Sequence, residues 1–186
     1  MMNDVFAHKR LLIEHLHNLD HEEWGNACEI LLQAYKSRST VWVGGNGGNA
    51  ANAFHFATDW NKGLFKLTGK ALRSHTLWEN PALVSALSND QEFELVFADQ
   101  LSIFAKPGEV AVLMSGGGDS ANIVRSAIKA KELGLTVIGL TGGRGQKIKH
   151  LFDVHIHIAS DDIQIVEDIH ASFGHTVYKF IANAQN

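Results

Sequence analysis

The residues best equipped for chemistry are His55 and Asp59, four apart, and Glu167 and His175, eight apart. An imidazole and a carboxylate spaced by four project from one face of a helix, and Glu167, Ala171 and His175 are read as a second such face. Two imidazoles and two carboxylates can hold zinc or another divalent metal, or work as an acid and a base. Such pairs also decorate solvated helix faces with no further role, so spacing alone leaves both readings open. His170 lies inside the second group, as a support for a ligand or as a plain helix histidine.

A second kind of chemistry is anion binding. Thr40-Val41-Trp42-Val43 runs into Gly44-Gly45-Asn46-Gly47-Gly48-Asn49, and a helix-forming segment begins at once. A strand, a tight turn and a helix start aim unsatisfied N–H groups and the positive end of the helix dipole at one spot. Asn46, Gly47, Gly48 and Asn49 are the candidates there. The loop Ser115-Gly116-Gly117-Gly118-Asp119-Ser120 repeats the arrangement. Ser115, Gly116, Gly117 and Ser120 could surround a phosphate with hydroxyls and backbone N–H groups. Asp119 would repel that phosphate unless turned away to cap the following helix. Glycines also serve simply to permit tight turns.

Gly45-x-Gly47-x-x-Ala50 fits the dinucleotide fingerprint, but the acidic partner expected about twenty residues on is not in place. Asp59 comes too early and Glu79 too late. No Gly-Lys-Ser/Thr occurs, so this is not a P-loop.

These residues need elements to hold them. Residues 5–35 carry apolar side chains at helical spacing, with Asp20 as an N-cap between two helices. Strands are expected at Val41–Val43, Ala71–Leu77, Val110–Met114, Thr136–Leu140 and Val154–Ile158. Helices are expected after the first glycine loop, from Asn80-Pro81 to a break at Ser88-Asn89-Asp90, and over Phe93–Phe104, Ala121–Leu133 and Ile163–Ala184. Leu64–Lys70 is ambiguous. Thr141-Gly142-Gly143-Arg144-Gly145 is a third glycine turn, followed by a short helix to Leu151. His155 and His157 alternate on the last strand and should face one side; His8, His15, His17 and His21 read as surface residues of the helical arm. Alternating strands and helices, with glycine turns at strand C-terminal ends, imply a doubly wound parallel α/β sheet.

Composition limits the function. The chain has 186 residues, 45% hydrophobic and 19% charged, with a net charge of −4. It has no basic tract, so a nucleic-acid surface is not expected. One cysteine, Cys28, cannot form an intrachain disulfide. That fits a reducing compartment, with Cys28 packed as a small hydrophobe. No signal-peptide pattern and no membrane-length apolar run is present, so a cytoplasmic protein without membrane contact is expected.

Taken together, the motifs resemble the sugar isomerase (SIS) domain family, and within it phosphoheptose isomerases. The resemblance rests on Gly45-Asn46-Gly47-Gly48, His55-Phe56-Ala57 with an acid at 59, and Asn89-Asp90-x-x-Phe93-x-x-Val96-Phe97-x-x-Gln100-Leu101. It continues through Gly108-Glu109-Val110, Ser120-Ala121-Asn122, Leu140-Thr141-Gly142 and Glu167-Asp168-x-His170-x4-His175. It covers about residues 40–180 in register, and the helical arm also fits.

The resemblance implies one SIS domain over residues 1–186, with a helical arm at 1–38 and a flavodoxin-like, three-layer α/β core at 39–186. It implies a homotetramer with the active site between subunits. It implies isomerisation of sedoheptulose 7-phosphate to D-glycero-D-manno-heptose 7-phosphate. Zinc would be held by His55, Asp59, Glu167 and His175, with Asp59 and His175 as base and acid, and Asn89 and Asp90 would join the substrate-binding set. Aldose–ketose isomerisation moves one proton between carbons and another between oxygens, so it needs such a pair and a means of stabilising an enediolate.

Four departures bear on this. Asp59 replaces a Glu, and Glu167 replaces a Gln. Asn49 stands where the family has a phosphate-binding Ser, and the second loop loses two hydroxyls and gains Asp119. An isomerase of another sugar phosphate, or a non-catalytic SIS protein of the initiator-associating type, is the alternative.

Overall fold

The computed structural model describes Asp4 and residues 6–185. Helices α1 (Ala7–His17) and α2 (His21–Ser37) precede the sheet, and α2 buries Ala27, Cys28, Leu31 and Tyr35 in the core. Asp20 ends the break between them: its carboxylate accepts from the N–H groups of Glu22 and Glu23 at 3.0 and 3.1 Å. That satisfies two donors that a helix start otherwise leaves orphaned.

Five parallel strands follow: β1 (Val41–Gly45), β2 (Ser74–Thr76), β3 (Val110–Ser115), β4 (Thr136–Thr141) and β5 (Val154–His157). Their order is β2-β1-β3-β4-β5, the flavodoxin-like order, with its reversal between β1 and β3. Side chains alternate across the sheet. Val41, Val43, Val112, Met114, Ile138, Leu140 and Ile156 face the layer of α2, α3 (Gly48–Thr58) and α8 (Ile163–Asn183). Ala111, Leu113 and Val137 face α6 (Val96–Phe104) and α7 (Ala121–Glu132). Both faces are covered, as an all-parallel sheet requires.

Several boundaries differ from expectation. Helix α5 (Pro81–Asp90) runs through Ser88-Asn89-Asp90 instead of breaking there; the Ser88 hydroxyl turns inward along the helix and donates to the Val84 carbonyl at 2.7 Å, so it does not compete for the following backbone. Phe93–Leu95 is a 3-10 turn leading into α6. Gly143–Leu151 is also 3-10. The stretch after α3 widens into a π-turn, Asp59–Gly63, before α4 (Leu64–Thr68). Gly63 fits there because the Tyr178 ring fills the space a side chain would take. Asn61, inside the π-turn, donates to the Ser74 carbonyl at 2.6 Å and accepts from the Ser74 N–H at 3.1 Å. It thereby meets the outward-facing groups at the start of β2, the sheet edge.

Candidate active site

The first cluster forms where α3 meets α8. Gly174 lies under the Phe56 ring, so closely that a methyl group there would collide with it. Trp60 Nε1 donates to the Gly174 carbonyl at 3.0 Å. This close approach brings the two elements side by side just where each carries an imidazole. His55 Nε2 and His175 Nε2 are 3.3 Å apart, and His55 Nε2 is 3.2 Å from Asp59 Oδ2. One ligand atom from each of His55, Asp59 and His175 falls within 4.8 Å of the others. Two imidazole nitrogens and one carboxylate oxygen, with the group open to solvent on one side, suit a divalent ion that keeps a position free. Three of the four expected ligands are thus together.

Glu167 is placed elsewhere. Its carboxylate sits over Gly48 at the start of α3, where any side chain on Gly48 would strike it. Asn49 Nδ2 approaches Glu167 Oε1 at 3.4 Å, and Asn52 Nδ2 donates to the Glu167 carbonyl at 3.0 Å. Burial raises the Glu167 pKa, hydrogen bonding from Asn49 lowers it, and the neighbouring Asp168 charge raises it. The anion position expected for a phosphate at Gly47, Gly48 and Asn49 is therefore faced by the protein's own carboxylate. His170, fully buried, bonds through Nδ1 to Asn49 Oδ1 at 2.6 Å. Burial depresses its pKa to about 3, so the ring is neutral. It supports the glycine loop and does not belong to the histidine–aspartate cluster.

The second glycine loop is laced to itself and to the third. Ser115 is buried, and its Oγ accepts from the N–H groups of Gly118 and Ser120 at 3.1 and 3.3 Å and lies 3.0 Å from Ser120 Oγ. Its hydroxyl, expected to reach a phosphate, holds the loop instead, because a buried hydroxyl bonds the nearest donors. Gly116 and Gly117 pass their carbonyls against Gly142 and Gly143. Gly118 has a φ of +94° and packs on the backbone of Gly142 and Gly145, which only glycine tolerates. Asp119 does not cap α7, which has no side-chain cap; it pairs with Arg144 at 2.8 Å.

Asn46 exchanges two amide hydrogen bonds with buried Asn122, at 2.8 and 2.9 Å, tying the first loop to α7 across the strand-order reversal. Neither Asn122 nor Arg144 was marked by spacing as a site residue. Asn89 and Asp90 are exposed at the end of α5 and bond to each other at 3.2 Å. His155 and His157 do face one side: both lie within bonding distance of Thr141 Oγ1, at 2.7 and 3.2 Å.

An asparagine bridge at the reversal point of a parallel sheet, glycine loops at strand ends and polar clusters on the helices beside them define a doubly wound α/β protein with its site at that edge. The chain belongs to the SIS domain family, whose model matches residues 6–142. It is 38% identical over 148 residues to the phosphoheptose isomerase of Crocosphaera subtropica, an alignment covering 80% of this chain and 75% of that one. It is 35% identical over 156 residues to that of Clostridium acetobutylicum, covering 84% and 79%. The solved structure of phosphoheptose isomerase from Neisseria gonorrhoeae superposes with a TM-score of 0.86 at 29% identity, covering 96% of this chain and 97% of that one. Among the described residues, no helix is long and apolar enough to cross a membrane.

Proposed function

We propose that this chain is a sugar-phosphate isomerase that converts sedoheptulose 7-phosphate to D-glycero-D-manno-heptose 7-phosphate. The observation that carries the reading is the gathering of His55, Asp59 and His175, one ligand atom from each within 4.8 Å. The names and coverage of its relatives support the substrate class. Zinc, held by His55, Asp59 and His175, is the metal we assign. When bound, it polarises the substrate's oxygens.

The chain's own residues supply the rest. Asp59 takes the proton from the carbon beside the carbonyl and returns it to the neighbouring carbon. His175 moves the second proton between the two oxygens, so the enediol forms and collapses without net loss of protons. His55 holds the Asp59 carboxylate in place. Helix α3 acts as a spacer. Its glycine end and His55 are seven residues apart, about 10 Å at the rise of an α-helix. A seven-carbon sugar with phosphate at one end and reacting carbons at the other needs a separation of that order. Asn46, Gly47, Gly48, Asn49, Gly116, Gly117 and Ser120 line the phosphate end, and Asn89 and Asp90 reach substrate from a second copy in a homotetramer. The enzyme works in the cytoplasm, as one SIS unit with residues 1–38 as its arm.

The test is metal content of the purified protein together with sedoheptulose 7-phosphate turnover before and after chelation. Stoichiometric zinc and chelator-sensitive turnover are expected. Zinc without turnover would move the substrate elsewhere. Neither zinc nor turnover would make this a binding protein on an isomerase fold.

A further inference from the structure

Glu167 faces the start of α3 at Gly48, the anion position of the first glycine loop. A phosphate dianion held between the two glycine loops is repelled by that carboxylate, so a compensating positive charge has to come from the side of the second loop. There Ser115 Oγ is engaged by the loop's own N–H groups, and Gly116 and Gly117 carry no hydroxyl. The loop adds a carboxylate, Asp119, at the residue before the N-cap of α7. Left alone, that charge would oppose an anion at the helix start. Arg144 changes the balance. Its guanidinium reaches Asp119 Oδ1 at 2.8 Å, and its backbone N–H donates to the Gly117 carbonyl at 3.1 Å. The side chain is 65% exposed, so most of its donors remain free.

We propose that Arg144 is a specificity-determining residue that binds the substrate's phosphate, held at the second glycine loop by Asp119. The proposal rests on the sugar-phosphate reading above. A guanidinium presents donors in a planar fork that suits phosphate oxygens, and one face of the fork can bond a carboxylate while the other bonds the anion. Asp119 then serves as a positioning residue for Arg144, and the lost hydroxyls are replaced by a cation from the neighbouring loop.

The experiment measures binding of sedoheptulose 7-phosphate and of inorganic phosphate by titration, beside turnover, for the wild type, Arg144→Ala and Asp119→Asn/Arg144→Ala. Arg144→Ala is expected to weaken binding of both probes about tenfold and to raise KM with kcat little changed, as loss of a charged hydrogen-bond donor does. The double variant is expected to stay several-fold weaker than the wild type. Binding in Arg144→Ala equal to the wild type overturns the proposal. Wild-type binding in the double variant also overturns it, since Arg144 would then only cancel the Asp119 charge. If the wild type binds phosphate but does not isomerise, and Arg144→Ala still weakens binding, the isomerase reading fails and the role of Arg144 stands.

Discussion

His170 Nδ1 lies 2.6 Å from Asn49 Oδ1, and this single bond orients the amide that faces Glu167. The asparagine oxygen can only accept, so Nδ1 carries the proton and Nε2 is the bare nitrogen. Among the described residues that Nε2 is buried with no partner. Protonating it would place an uncompensated cation in the core, between α3 and α8.

Stability should therefore fall with acid. Burial depresses the His170 pKa to about 3, and burial first, then the charges of His157 and Lys149, depresses that of His155 to about 4. The unfolded chain takes up these protons near the ordinary histidine value of 6.5, before the folded one does. Their contribution is full above that pH and is lost as pH falls toward 4 and then 3, at up to about 1.4 kcal/mol per pH unit for each ring. Urea melts between pH 7.5 and 4.5 should show the decline, and His155→Gln should make it shallower. Equal stability across that range would contradict the buried neutral rings.

His175→Ala should remove isomerase activity, by about 10²-fold or more, and leave the fold intact. The side chain is exposed and takes part in the His55–Asp59 cluster, so little packing is lost. Turnover beside a circular-dichroism melt checks both halves. Full turnover in this variant would remove His175 from the reaction.

Gly174→Ala should act at a distance of one residue. The added methyl meets the Phe56 ring, so α8 must move off α3 or the ring must turn. A cost of about 1–3 kcal/mol is expected, as for overpacking elsewhere. Because His175 is the next residue, zinc affinity should drop as well. Unchanged affinity with reduced stability would mean that the imidazoles follow the backbone shift together.

Glu167→Gln should leave the zinc stoichiometry unchanged, because the three-residue cluster does not include Glu167. Its effect should appear as tighter phosphate binding, from removal of the carboxylate facing Gly48. Loss of metal in this variant would bring Glu167 back among the ligands.

The elements were legible wherever a local signal ended them. Asp20, Asn80-Pro81 and Asp162 each cap a helix through contacts two or three residues away, so the sequence window contains the cause. The glycine loops were legible for the same reason. The histidine–aspartate cluster was half legible: His55 and Asp59 are one turn apart, while His175 joins them only because Gly174 admits the Phe56 ring. Glu167 and His175 are harder to read, because spacing says nothing of what each side chain meets, and Glu167 turns to Gly48. Eight residues make about 2.2 turns, so the pair sits about 12 Å apart along the axis, and whether the side chains converge depends on their neighbours. The Asp119–Arg144 pair spans 25 residues between neighbouring loops, and Asn46–Asn122 spans 76, so no spacing rule points to either.

Asn61 mimics a neighbouring strand at Ser74: one amide offers a donor and an acceptor where another chain's backbone would. The widened turn after Asp59 therefore guards the molecule against self-templating as well as beginning beside the cluster. Straightening that turn into regular helix would withdraw the amide. It would leave the outward N–H and C=O of Ser74 unpaired at the sheet edge, where another strand can pair with them.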